Sequence, residues 1–167
     1  MPKFKLQAVD MSFFETASFR WTYHIDVAAT PEQVWQGLIA YHPLVWCQML
    51  SGHYTSAKPY GVGTTREIYA VGLLKLYEEF FYWNDEERRH CFQVLQANVP
   101  FLQSFAEDYH VQPIEGGARL TWRFAIEPKK GFYTVMKLSH LVNEYLFSTF
   151  VKDTHRHFGR LYSKKGV

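Results

Sequence analysis

Residues 132–162 read FYTVMKLSHLVNEYLFSTFVKDTHRHFGRLY, with no proline and a single glycine, Gly159. One set of residues, mostly apolar, recurs at steps of three and four, which places it on one face of a helix. The set consists of Val135, Leu138, Val142, Tyr145, Leu146, Thr149 and Phe150. The opposite face carries Lys137, His140, Glu144 and Ser148. The pattern predicts an amphipathic helix from about Phe132 to Tyr162, roughly 45 Å long, whose apolar stripe packs on a sheet.

The same helix has a second apolar stripe, directed away from the first. It consists of Phe147, Val151, Thr154, Phe158 and Leu161. If this stripe is exposed, it can join two copies of the chain into a homodimer. If the N-terminal residues cover it, it belongs to the core. The sequence leaves both readings open.

The chain before this helix alternates apolar and polar residues, the pattern of strands with one buried face. The clearest case begins at Ser18, where aromatic and β-branched residues occupy every second position up to Val27. Seven strands are predicted, at residues 18–27, 52–58, 64–71, 74–83, 88–97, 101–113 and 118–127. Because turn residues separate most of them, we expect an antiparallel sheet.

Two short helices are predicted between the first and second strands. The first begins at Pro31, because Thr30 suits the N-cap, proline suits the first helical position and Gln33 can complete a capping box. The second runs from about Pro43 to Leu50 and carries several large apolar residues. An order of strand, two helices, six strands and long helix restricts the choice of fold.

The size and composition of the chain fit one α+β domain. At 167 residues it can form a full core but is short for two ordinary domains. We assign residues 17–163 to this domain and expect a flexible N-terminal segment over residues 1–16. Aromatic residues make up 18% of the chain. Rings in such excess often line pockets for apolar ligands, the alternative being an aromatic-rich core.

Charge and cysteine content limit the partners and the compartment. The net charge is +2, with basic and acidic residues interleaved, so nothing indicates nucleic-acid binding. The two cysteines, Cys47 and Cys91, have no paired spacing, which is typical of free thiols in a reducing compartment. The sequence shows no apolar run long enough for a signal peptide or a membrane span. It therefore predicts a cytoplasmic protein without stable membrane insertion.

Three local strings join the order of elements in pointing to a known fold. They lie at Ala28–Trp35, before the first helix; at Gly61–Arg66, where a glycine loop leads into a strand; and at Gly116–Trp122, in the last hairpin. Over Ser18 to Tyr162 the chain resembles the helix-grip fold of the START-like superfamily (SRPBCC). That superfamily includes lipid-transfer START domains, polyketide cyclases and aromatases, and birch-pollen-type allergens.

The resemblance implies a seven-stranded, curved antiparallel sheet wrapped around a long C-terminal helix. It also implies an apolar cavity between the two, which we expect to exceed about 300 Å³ if it holds a ligand. The superfamily shares no universal catalytic residue, so the resemblance implies no catalytic residue here.

Candidate ligand-binding residues come mainly from the predicted buried faces. They are Trp21, Tyr23, Arg66, Tyr69, Phe105, Glu107, Tyr109, Trp122, Phe124, Leu138, Val142 and Tyr145. Alternation along the strand at 101–113 places Glu107 on the inner face. An isolated ionised carboxylate there is costly, so Glu107 must be neutral or paired. Arg66 is the expected partner if Glu107 is paired, and a position at the rim is the alternative. The inward face is ambiguous over residues 64–83, and the adjacent Glu78 and Glu79 are both expected in charge pairs.

The sequence predicts neither a metal site nor a cofactor. His155 and His157 are two positions apart on a helix and cannot chelate one ion together. The string from Gly61 to Gly63 lacks the third glycine and the following helix of a dinucleotide site. No Gly-x-Ser-x-Gly elbow occurs either.

Three functions remain in order of preference. The first is binding or transport of a hydrophobic small molecule, such as a lipid, an isoprenoid or a polyketide-like ring system, in the internal cavity. The second is a cyclase or dehydratase type of enzyme, in which one or two polar groups of the pocket move protons. The third is a protein–protein interaction module of the same fold. Whether the chain is an enzyme stays open, with binding favoured.

Overall fold

A computed structural model describes residues 2–161 of the chain, and within them it has eight strands and four helices. The strands are β1 (Phe4–Lys5), β2 (Phe19–Val27), β3 (Leu50–Tyr54), β4 (Thr65–Ala70), β5 (Leu74–Asn84), β6 (Arg89–Ala97), β7 (Leu102–Ile114) and β8 (Gly117–Pro128). The helices are α1 (Phe13–Thr16), α2 (Pro31–Leu38), α3 (Tyr133–Leu138) and α4 (His140–Phe158).

Seven of the strands form the curved antiparallel sheet predicted from the sequence, in the order β2-β8-β7-β6-β5-β4-β3. Six predicted strands match the observed ones to within two residues at each end. The strand predicted at residues 52–58 instead spans Leu50–Tyr54. In this order β2 lies next to β8, the last strand of the chain. Phe19 pairs with Ile126 and Val27 with Ala118.

One of the two predicted short helices is present. α2 begins with the predicted capping box: Thr30 Oγ1 accepts from the Gln33 backbone N–H, and the Gln33 side chain accepts from the Thr30 N–H. The second predicted helix, Pro43 to Leu50, is a pair of turns. Leu44 has a φ of 58°, a left-handed conformation that a right-handed helix does not contain.

The long C-terminal helix is divided in two, because Ser139 separates α3 from α4. α4 ends at Phe158, earlier than the predicted end at Tyr162, which itself lies outside the described residues. No helix within residues 2–161 has the length and apolar character needed to cross a bilayer.

α4 is rotated relative to the orientation predicted for it. Phe147 and Phe150 point to the sheet, and they are 6% and 3% exposed. Four residues of the predicted inner stripe face outward instead: Val135, Leu138, Val142 and Tyr145 are 60–79% exposed. Phe147 belongs to the second stripe, for which the sequence left exposure and burial open. The helix therefore buries most of its second stripe and exposes most of its first.

Further contacts hold this second stripe against the body. Thr154 is fully buried, and the Trp46 Nε1 donates to its hydroxyl at 3.0 Å. Trp46 also packs edge-on against Phe158, with ring centroids 4.8 Å apart. The turns after α2, which carry Trp46, cover this side of α4, so the N-terminal residues are not needed to bury it.

Residues 4–9, part of the segment predicted as flexible, are hydrogen bonded to the sheet. β6 and β7 pair only from Arg89 to Gln93 of β6 and then separate. The N-terminal segment fills the gap: the Leu6 N–H donates to the Leu95 carbonyl and the Gln7 N–H to the Gln103 carbonyl. Backbone groups that the two strands leave free are satisfied in this way.

Candidate functional site

A cavity of about 150 Å³ lies between the inner face of the sheet and α4. Six of the predicted ligand-binding residues line it: Arg66, Phe105, Glu107, Tyr109, Trp122 and Phe124. Five of these come from β7 and β8 at alternate positions, where the period of two predicted the inner face correctly. Trp122 and Phe124 also stack on Phe150 and Phe147 of α4, so the cavity occupies the space that these rings leave.

The cavity is smaller than the sequence-based expectation of more than about 300 Å³. A volume of about 150 Å³ is close to that of a cavity known to hold benzene. Large aromatic rings fill the rest of the interior, since Trp122, Tyr109, Phe80 and Phe92 are all 1% exposed or less. Much of the aromatic excess therefore belongs to the core.

The other six predicted residues lie outside the cavity lining. Trp21 and Tyr23 pack edge-on against Phe147, with ring centroids 5.2 and 6.4 Å away. Tyr69 points to the outer face, where its hydroxyl donates to Glu67. The three helix residues are exposed: Leu138 at the end of α3, and Val142 and Tyr145 on the outward face of α4.

Glu107 is the most unusual group of the cavity. It is 7% exposed, and one carboxyl oxygen, Oε2, accepts from the Tyr109 hydroxyl and from the Trp122 Nε1, each at 2.8 Å. Burial, followed by the nearby negative charge of Glu78, raises the pKa of Glu107 to about 8, and the two hydrogen bonds oppose the rise only in part. Glu107 faces the cavity as its strand position predicted, and its raised pKa favours the neutral carboxyl group at neutral pH.

Arg66 pairs with Glu78 rather than with Glu107 as expected. Its Nε and one of its Nη atoms both contact Glu78 Oε2, at 2.7 and 2.6 Å, and both side chains are 1% exposed. Burial raises the pKa of Glu78, which Arg66 opposes. The guanidinium also lies over the Phe92 ring, 4.4 Å from its centroid. Arg66, which the sequence suggested as the partner of Glu107, is thus paired with Glu78 instead.

Sequence reasoning missed Glu78 as a cavity residue because β5 carries large side chains on both faces. Leu74, Leu76 and Phe80 alternate with Tyr77, Phe81 and Trp83, so the pattern did not show which face points inward. In the structure the face with Leu76, Glu78 and Phe80 is buried. Strand neighbours in β4 could have resolved it, since Arg66 lies directly opposite Glu78.

The remaining lining residues come from strands and helices that the sequence analysis did not assign to one site. On the strand side they include Leu50, Ile68, Leu74 and Leu76, and on the helix side Met136, Asn143, Leu146, Phe147 and Phe150. The helical pattern alone cannot choose between two apolar stripes of one helix. Phe147 was therefore placed in the other stripe, whereas Leu146 and Phe150 of the predicted inner stripe do line the cavity.

Comparisons with known proteins agree with this architecture. The sequence model of the family described as polyketide cyclase / dehydrase and lipid transport matches residues 18–142. The uncharacterized proteins Rv2574 of Mycobacterium tuberculosis and Mb2604 of Mycobacterium bovis are each 37% identical over 123 residues, covering 71% of this chain and 72% of theirs.

Solved structures with the same fold are more distant in sequence. A protein of Nitrosospira multiformis superposes with a TM-score of 0.63 at 16% identity, covering 84% of this chain and 96% of that one. Ginseng major latex-like protein 151 from Panax ginseng superposes with a TM-score of 0.63 at 14% identity, covering 85% and 98%. The predicted helix-grip architecture is confirmed.

Proposed function

The chain belongs to the polyketide cyclase/dehydrase and lipid transport family, and from this premise we propose that it binds a small hydrophobic molecule in the cavity between the sheet and α4. The observation that carries the proposal is an interior space lined by aliphatic and aromatic side chains onto which a few polar groups converge. Glu107 is the foremost of these polar groups. Such a combination is what small-molecule sites have in common.

The volume of the cavity restricts the ligand. A whole lipid, an isoprenoid chain or a polyketide-like ring system is larger than the cavity of about 150 Å³. A molecule of one ring, or an apolar group of that size, fits. We therefore favour a ligand of roughly one ring for the cavity in this conformation.

A proton-transfer enzyme of the cyclase or dehydratase type is the second candidate. It is favoured by Glu107, because a carboxyl group whose pKa is about 8 can give and take a proton near neutral pH. A cavity of this volume, however, cannot fold a long reactive chain, and Arg66 is neutralised by Glu78. Ligand binding requires only the cavity and its polar groups, so it explains the geometry with fewer assumptions than catalysis does.

Filling the cavity tests the binding proposal. Ala70 lies at the end of β4, is 6% exposed and lines the cavity, so Ala70→Phe places a ring in the space. Val71→Phe is the matched control, because the neighbouring Val71 is 43% exposed and does not line the cavity. Native mass spectrometry of protein purified from its own host should detect a small molecule with wild type and Val71→Phe but not with Ala70→Phe. An equal content in all three proteins contradicts the proposal.

The homodimer and the cytoplasmic location stay predictions. The stripe proposed for dimerisation is largely buried: Phe147 and Thr154 are in the core and Val151, Phe158 and Leu161 are half-buried. A dimer would need another surface. Gel filtration of the purified chain measures its oligomeric state directly.

A further inference from the structure

The polar end of the cavity holds three ionisable side chains, Arg66, Glu78 and Glu107, and their pairing restricts the chemistry of the ligand. This step rests on the proposed function. Glu107 uses only Oε2 for its hydrogen bonds to Tyr109 and Trp122. Among residues 2–161, no donor or acceptor reaches its second oxygen, Oε1. One atom of a buried carboxyl group on the cavity wall is therefore available to a ligand.

Arg66 is not available in the same way. Glu78 lies beside it with both oxygens buried, and two guanidinium nitrogens contact a single carboxylate oxygen. The ion pair has no net charge. A ligand carboxylate placed here would meet Glu78 and Glu107 as well as Arg66, which makes an anion a poor occupant.

Burial and ion pairing control the charge of the ionisable groups around Glu107. Those that face it from the packed elements are Arg66 of β4, Glu78 of β5, His90 of β6, Tyr109 of β7 and Cys47 of the turns after α2. Burial lowers the pKa of His90 to about 3 and raises those of Tyr109 and Cys47 above their ordinary values. Near pH 8, the group that changes charge is Glu107 itself.

We propose that the cavity selects a neutral molecule of about one ring bearing a hydrogen-bond acceptor, such as a ketone or ester carbonyl, and that Glu107 donates its proton-bearing Oε1–H to that acceptor. The arrangement satisfies both carboxyl oxygens, since Oε2 accepts from Tyr109 and Trp122 while Oε1 donates. It also leaves no unpaired charge in the cavity, which a cationic or anionic ligand would do.

Four isosteric probes separate the possibilities: acetophenone, cumene, benzoate and benzamidine. Each has one ring and a three-atom branched substituent, but the substituent is a neutral acceptor, an alkyl group, an anion or a cation. Dissociation constants are measured by NMR titration at pH 6 and pH 9.5 for wild type, Glu107→Gln and Ala70→Phe. At pH 6 we expect acetophenone to bind wild type about two- to tenfold tighter than cumene, the effect of one neutral hydrogen bond.

The pH dependence and the variants identify the donor. The preference for acetophenone over cumene should disappear in wild type at pH 9.5, where Glu107 has lost its proton. In Glu107→Gln it should persist at both pH values, because the amide carbonyl accepts from Tyr109 and Trp122 while its NH₂ donates. Ala70→Phe should bind none of the four, which places the site in this cavity.

Each other outcome has a definite meaning. Equal binding of acetophenone and cumene at pH 6 overturns the inference but leaves the proposed function intact. Tightest binding of benzamidine, rising with pH, overturns it in favour of an anionic Glu107, and tightest binding of benzoate overturns it in favour of Arg66. Failure of all four probes, cumene included, contradicts the proposed function itself.

Discussion

Phe147 of α4 stacks on Phe124 of β8, with ring centroids 4.0 Å apart and ring planes within 16° of parallel. This contact sets the rotation of α4, because it places the Phe147 side of the helix on the sheet and leaves Val142 66% exposed. A stacked aromatic pair adds stabilisation beyond the burial of its surface. The face that an amphipathic helix buries is here decided by its aromatic residues.

The rotation of α4 predicts unequal effects of truncation. Phe147→Ala should lower the free energy of unfolding by about 3–5 kcal/mol, the usual cost of removing a buried phenylalanine ring. Val142→Ala should change it by no more than about 0.5 kcal/mol, because little of its side chain is buried. Urea denaturation of both variants measures the difference. A larger effect for Val142→Ala would mean that the helix packs with its other face inward.

The rim of the cavity predicts where a large side chain blocks binding. Leu146 lines the cavity from α4, whereas Val142, one helical turn earlier, does not. Leu146→Trp should therefore weaken the binding of cumene at least about tenfold, as overfilling a packed site does, and Val142→Trp should leave it unchanged. Titration of both variants with cumene checks this. Equal loss in both, or loss in Val142→Trp alone, would place the ligand elsewhere.

The elements of the sheet could be predicted because their signals are local. Alternation identified β2, β7 and β8 with nearly correct ends, and the Thr30–Gln33 capping box identified α2. Inward-facing Glu107 followed from the same period of two. Each of these inferences needed only neighbouring residues.

What could not be predicted depended on contacts between distant segments. The rings on β8 set the face of α4, and the register of β4 with β5 places Arg66 opposite Glu78. The gap between β6 and β7 is what residues 4–9 fill. A period of 3.6 or 2 in the sequence shows which residues share a face of a helix or a strand. It does not show which other part of the protein packs against that face. The site was therefore half predicted, on the regular strands only.

The buried pair of Arg66 and Glu78 predicts a non-additive response to mutation. Removing one partner leaves the other charge buried and alone, so Arg66→Met or Glu78→Leu should each destabilise the fold by about 3–5 kcal/mol. The double variant Arg66→Met/Glu78→Leu removes both charges and should regain most of that loss. Thermal and urea unfolding of the three variants measure the coupling. A double variant as unstable as the sum of the singles would show that the two residues act independently.

Glu107 predicts a pH dependence of stability whose sign is unusual for a carboxyl group. Its pKa rises from an ordinary 4.5 to about 8 in the folded chain. Between those values the folded protein holds a proton that the unfolded chain has released, so this group's contribution to stability falls as pH rises, by up to about 1.4 kcal/mol per pH unit. Above pH 8 both states are ionised and the contribution levels off.

Glu107→Gln removes this titration while keeping the volume and a donor and acceptor at the site. The variant should gain stability relative to wild type as the pH rises from 5 to 8, with no further gain from 8 to 9.5. Glu115→Gln is the matched control, because Glu115 is an exposed carboxylate in the turn between β7 and β8; its difference from wild type should stay small throughout. Urea unfolding at four pH values measures both series. If the difference between Glu107→Gln and wild type instead stays constant from pH 5 to 9.5, Glu107 is already ionised at pH 5 in the folded protein, and its stabilising partner must be a cation, as the sequence alone had suggested for Arg66.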